Sequence, residues 1–120
     1  MEHLAALAIA IGSWLTLSGG SWRPSAQDVA EARAQLEPYV ARQARLEGEA
    51  LPPWNTYRFQ YRGQELNGKK VIFVNAFCSA PPDLVVTEVV EAYDGGPCYF
   101  RAYWDPAEKI YLSVLFNGHA

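Results

Sequence analysis

Apolar and polar residues follow three regimes along this chain. Residues 4–17, LAALAIAIGSWLTL, form a fourteen-residue run without a charge. Between 25 and 47, Val29, Ala32, Leu36, Tyr39, Val40 and Ala44 fall on one stripe, with Glu31, Arg33, Glu37, Arg42 and Arg45 on the other faces. Three- and four-residue spacing of this kind predicts an amphipathic helix. From residue 56 onward the period shortens to two, the period of a strand whose side chains alternate between the faces of a sheet.

The helix has recognisable ends. Ser25 with Asp28 three residues on is a capping-box-like start, and Gly48 followed by Pro52–Pro53 stops it. Pro38 lacks a backbone donor and crowds the preceding turn. It predicts a kink, or two short helices meeting at Glu37–Pro38.

TYRFQYR (56–62) alternates strictly. Tyr57, Phe59 and Tyr61 face one way, toward a core, and Arg58, Gln60 and Arg62 face the other, toward water. Asn67–Gly68 is the strongest short signal for a hairpin turn. KVIFVNAFC (70–78) is apolar on both faces and predicts a central strand. LVVTEVVEAY (84–93) is β-branched and predicts the next one. Asp94–Gly95–Gly96–Pro97 predicts a hairpin turn, CYFRAYW (98–104) alternates again, Asp105–Pro106 turns the chain, and KIYLSVLF (109–116) is the last strand.

One helix followed by strands joined by hairpins is an α+β layout: a Pro-kinked helix on a four- to five-stranded antiparallel meander. Such a sheet curls over the helix and leaves its convex face partly solvated. In element order this looks like the cystatin-like architecture, and a fold does not by itself fix a function.

Composition narrows the classes. At 120 residues, 50% of them hydrophobic, the chain holds one domain with a real core and is not a disordered chain. A net charge of −3 gives no electrostatic footprint for nucleic acid. The run at 4–17 is too short to span a bilayer comfortably and matches the apolar core of an export signal, with Ser18–Gly19–Gly20 supplying the small residues a signal peptidase requires. Glu2 and His3 depart from that pattern, which has Lys or Arg before the apolar run. On this reading the chain divides into a leader over 1–20 and a single α+β domain over 21–120, exported to the periplasm or beyond, with no stable membrane span once the leader is removed; the alternative is that the run is a buried or interfacial N-terminal helix. No cysteine stands directly after the apolar run, which closes the lipoprotein route.

Four segments together resemble a family of small uncharacterised bacterial exported proteins: Gln60–Tyr61 with Gly63, the strand end Asn75-Ala76-Phe77-Cys78, Asp94-Gly95-Gly96-Pro97-Cys98-Tyr99-Phe100, and the terminal Asn117-Gly118-His119-Ala120. The match covers roughly 57–120. The resemblance implies a fold and an exported location, and no activity.

Candidate chemistry is sparse. Cys78 and Cys98 are a candidate disulfide, because two cysteines in an exported domain favour one. In a simple meander, however, they stand at opposite ends of the sheet, beyond the ~7 Å Cα reach of a bridge. Two buried unreactive thiols are the alternative. Asn75 sits in a strand apolar on both faces, so its amide must find partners; these are a neighbouring turn or a ligand. Glu88 and Glu91 fall on opposite faces of the 84–93 strand and cannot share a cleft for acid–base work. His119 is the one histidine outside the leader, and with two cysteines it makes no standard zinc set. Gln60 to Gly63 faintly resembles the glutamine-to-glycine segment of cystatin inhibitors, without its valine and with the glycine one residue early. Leu51-Pro52-Pro53-Trp54 offers a Pro–Trp pair, but ahead of the sheet. Gly19–Gly20 belong to the leader and Gly95–Gly96 follow a strand without opening a helix, so neither pair reads as the glycine-rich phosphate loop of a nucleotide-binding motif.

The reading that follows is a non-enzymatic exported binding or structural module of the bacterial envelope, without catalytic, cofactor-binding or metal-binding residues, whose partner is a protein or a small ligand and not nucleic acid. The alternatives are a small enzyme using the concave face between helix and sheet, and a cystatin-like protease inhibitor. An open cleft holding Asn75 with a carboxylate favours the enzyme; a filled apolar interface favours the module.

Overall fold

The computed structural model describes residues 9–79, 88–92 and 94–118. Its elements are β1 (Trp14–Thr16), α1 (Ala26–Glu47), β2 (Arg58–Leu66), β3 (Lys69–Phe77), β4 (Tyr99–Asp105) and β5 (Ile110–Phe116). The five strands form one sheet in the order β1-β2-β3-β4-β5, antiparallel except for the parallel β1–β2 pair. The α+β layout expected from the periodicity is the one observed.

Helix α1 runs unbroken through Pro38, as one helix and not two. Ser25 and Asp28 form the reciprocal capping box, and Gly48 ends the helix at a left-handed φ of 74°, a conformation open to glycine without steric cost. Ala32, Leu36, Val40 and Ala44 are the buried stripe. Ala32, Leu36 and Val40 pack on one sheet face made by Phe59, Ile72, Val74, Ala76, Phe100, Ala102, Trp104, Tyr111 and Val114, with Tyr57 beside it. Period 3.6 on the helix and period 2 on the strands thus meet in a single core.

At Asn67–Gly68 both residues take positive φ, 53° and 78°, and Leu66 pairs with Lys69. This is the two-residue turn whose twist suits a hairpin. Strand β3 is central and buried from Val71 to Phe77, as its two-sided apolar pattern requires.

Four expectations are corrected. Residues 88–92 are not a strand, although β-branched residues fill the sequence around them; 84–87 and Tyr93 lie outside the described residues. Strand β3 pairs directly with β4, and Asp94–Pro97 is no hairpin turn: it leads through Gly95 and Gly96, both at positive φ, into a single 3-10 turn over Gly96–Cys98. The fifth strand comes instead from the end of the apolar run, as β1, with Ile9 and Leu17 buried. Finally, the sheet face away from α1 is not simply wet. Gln60, Val71, Phe73, Asn75 and Phe77 lie on it and are all buried.

Candidate functional site: a clamped loop on the outer sheet face

The hairpin register sets Gln60 directly opposite Asn75 on the face turned away from the helix. Both side chains are buried, so each amide needs partners. Asn75 Nδ2 donates to Gln60 Oε1 at 2.8 Å and to the Val90 carbonyl at 2.9 Å. Gln60 Oε1 also accepts from the Val90 N–H at 2.9 Å, and Gln60 Nε2 donates to the Glu88 carbonyl at 2.7 Å. Two side-chain amides therefore take the place of a neighbouring strand. They hold the main chain of 88–90 across the sheet without a ladder.

The base of this excursion is fixed covalently. Because β3 and β4 are adjacent and antiparallel, the end of one and the start of the other are neighbours. Cys78 N–H donates to the Cys98 carbonyl at 2.9 Å, the Cα atoms are 5.0 Å apart, and the two sulfurs are bonded. The placement at opposite sheet ends assumed an intervening strand, and removing that strand reverses it. A disulfide fits an oxidising compartment outside the cytoplasm.

Further contacts complete the clamp. Asn117 Nδ2 donates to the Ala92 carbonyl at 2.7 Å and the Asp94 carbonyl at 3.2 Å, and Gly96 N–H donates to the Gly118 carbonyl at 3.0 Å. Tyr99 Oη donates to the Ser79 carbonyl at 2.7 Å. Tyr57 Oη donates to the Pro97 carbonyl, and burial raises this phenol well above its ordinary range, so it stays protonated and donating. Arg101 meets Glu91 at 3.4 Å, both exposed, a pair of little energetic worth.

Four sequence segments that looked unrelated thus gather round one loop: Gln60, Asn75 to Cys78, Asp94 to Tyr99, and Asn117–Gly118. Asn75 has the structural partners the sequence allowed for. Glu88 and Glu91 belong to the clamped segment instead of a strand, and His119 lies outside the described residues. Gln60 was misassigned to the wet face. The signal that places it was present: a two-residue turn pairs Leu66 with Lys69, and counting back along the hairpin puts Gln60 against Asn75.

Gly63 serves a different neighbour. The backbone of Trp22 crosses it so closely that a Cβ at Gly63 would lie 2.2 Å from the Trp22 carbonyl oxygen. The Trp22 indole N–H then reaches the carbonyls of Gln64 and Val71 at 2.9 and 3.1 Å. A glycine inside a strand pattern is a sign of close backbone approach, and here the approaching chain is the segment after β1.

A second polar centre was not anticipated. Asp105, at the end of β4, is fully buried. Its Oδ2 accepts from Lys69 Nζ at 2.9 Å, and its Oδ1 accepts from the N–H groups of Ala107 and Glu108. The Lys69 ammonium, with these two N–H groups, holds the carboxyl below the usual carboxylate range.

No family model, curated protein or solved structure matches this chain. Among the described residues no helix is long and apolar enough to cross a membrane.

Proposed function

We propose that this chain is a non-enzymatic exported binding or structural module of the bacterial envelope, of the kind its Asn75–Cys78 and Asp94–Phe100 segments resemble. The observation that carries this reading is where the candidate chemistry is spent. Asn75, Gln60, Asn117 and both cysteines hold main chain to main chain, and what they fix among the described residues is loop main chain at 88–92, over the outer sheet face, and at 94–98. The disulfide at the base of that loop supports an address outside the reducing cytoplasm.

The helix–sheet interface favours the module over an enzyme on the concave face. Leu36, Val40, Tyr57, Phe100 and Trp104 fill it at 1% exposure or less, and Asn75 lies on the opposite side of the sheet. The module is likewise favoured over a cystatin-like inhibitor, since Gln60 to Gly63 lie inside β2 with Gln60 buried, not at an exposed hairpin tip.

The test has two parts. In intact cells of the native host, the protein is expected outside the cytoplasm, its thiols refractory to maleimide until reduced. Thiols that label without reductant would overturn the address. Turnover of an ester, peptide or glycoside by the purified protein that vanishes in Asn75→Ala would overturn the non-enzymatic assignment.

A further inference from the structure

Between β1 and α1 the chain crosses β2 and leaves a cleft of about 470 Å³ beneath the crossing. Thr16, Ser18, Gly19, Gly20, Arg23 and Arg62 are among its walls. Ladder-type bonds fix the crossing at both ends: Leu17 N–H donates to the Tyr61 carbonyl at 2.7 Å, and Ser21 N–H to the Gly63 carbonyl at 2.9 Å. The cleft is therefore preformed, in the size range of small-molecule sites.

Its chemistry is one-sided. Two arginines and no acidic residue stand among the lining residues, on a chain whose net charge is −3. Arg23 is exposed and has no partner among the described residues. Arg62 uses Nε to donate to Gln64 Oε1 at 2.6 Å and lies over the Phe73 ring, which orients it and leaves its terminal nitrogens unbonded among the described residues. Between the two anchors, the N–H groups of Ser18, Gly19 and Gly20 also have no partner among the described residues. Glu65 borders a more open neighbouring depression, with Gly19, Ser21 and Arg62, and is not among the residues lining this cleft.

We propose that this cleft binds the oxyanion group of a small ligand, a phosphoryl or carboxylate held by Arg23, Arg62 and the Ser18–Gly20 backbone. Planar guanidinium donors pair with either group through two parallel bonds, and free backbone N–H groups in a glycine turn add uncharged donors. The site gives the binding module a ligand class in the form of the chain that keeps residues 16–20, and it stands on wall chemistry that does not involve the clamped loop.

The experiment is an amide-resolved NMR titration of the full chain at fixed ionic strength, with inorganic phosphate, citrate and neutral glucose as probes. Saturable shifts at Gly19, Gly20 and Arg62 are expected with phosphate, with citrate or with both, and none with glucose. Which anion saturates tells phosphoryl from carboxylate. Arg23→Gln should weaken binding roughly tenfold, the scale of one charge-assisted hydrogen bond, with an unchanged melting curve. Arg45→Gln, the same charge change in the last turn of α1, should bind as wild type. Absence of saturation, or equal weakening by both variants, would overturn the proposal. Neither result touches the envelope address, which is read from the thiols.

Discussion

At the scale of single residues, buried polar groups decide more here than exposed ones. Asn75 Nδ2 donates to two oxygens, and replacing it by Leu leaves the Val90 carbonyl without that donor and Gln60 Oε1 with one donor in place of two. An unsatisfied buried group costs about 1–3 kcal/mol. Asn75→Leu is therefore expected to lower unfolding free energy by that amount in urea, and to speed hydrogen exchange at the Val90 amide. Asp105 supplies a pH signature. Its folded pKa is depressed, so its contribution is complete above the unfolded value of about 3.9 and is lost as pH falls through the folded value. Urea midpoints should drop between pH 6 and pH 3, and the drop should be smaller in Asp105→Asn. An equal drop would place the acid sensitivity elsewhere.

At the scale of elements, two glycines and one leucine test how the pieces fit. Gly63→Ala puts a methyl group against the Trp22 carbonyl, with backbone on both sides and no room to yield. The crossing after β1 should lift away, seen as loss of protection at Leu17 and Ser21 while β3 and β4 keep theirs. Gly68→Val forces a β-branched residue to φ 78° and should cost more than the ~1 kcal/mol of an ordinary substitution, whereas Glu65→Val, exposed in the same hairpin, should be nearly neutral. Leu36→Asp places a carboxylate against Ile, Phe and Val side chains at a position 1% exposed, and should leave the protein unfolded by far-UV circular dichroism.

At the scale of the whole molecule, the open question of the leader becomes a stability measurement. A chain beginning at Ser21 lacks β1, the buried Leu17 and the Trp14 ring stacked on Phe59 at 5.3 Å. Losing one large buried apolar side chain alone costs about 2 kcal/mol. The truncated chain should melt well below the full one; equal melting would show β1 dispensable and a cut near Gly20 compatible with the fold. Helix, hairpin, central strand and core face were all legible, because each is written in periodicity or in a turn of two residues. Even the Gln60–Asn75 pair was within reach, once the Asn67–Gly68 turn is allowed to set the register. What was not legible was partner choice. A β-branched run at 84–93 looks like a strand in isolation, but strand propensity measures fit to a pleated surface and does not say which edge a segment will meet. Local pattern thus determined one amphipathic helix, a hairpin and a sheet-forming second half. Only the tertiary structure decided that β3 lies beside β4, that 88–90 is held by side-chain amides instead of a ladder, that the two cysteines meet, and that the apolar run supplies an edge strand. The physical reason is that sheet edges accept any main chain, so competition among distant segments for buried area and hydrogen bonds fixes the pairing.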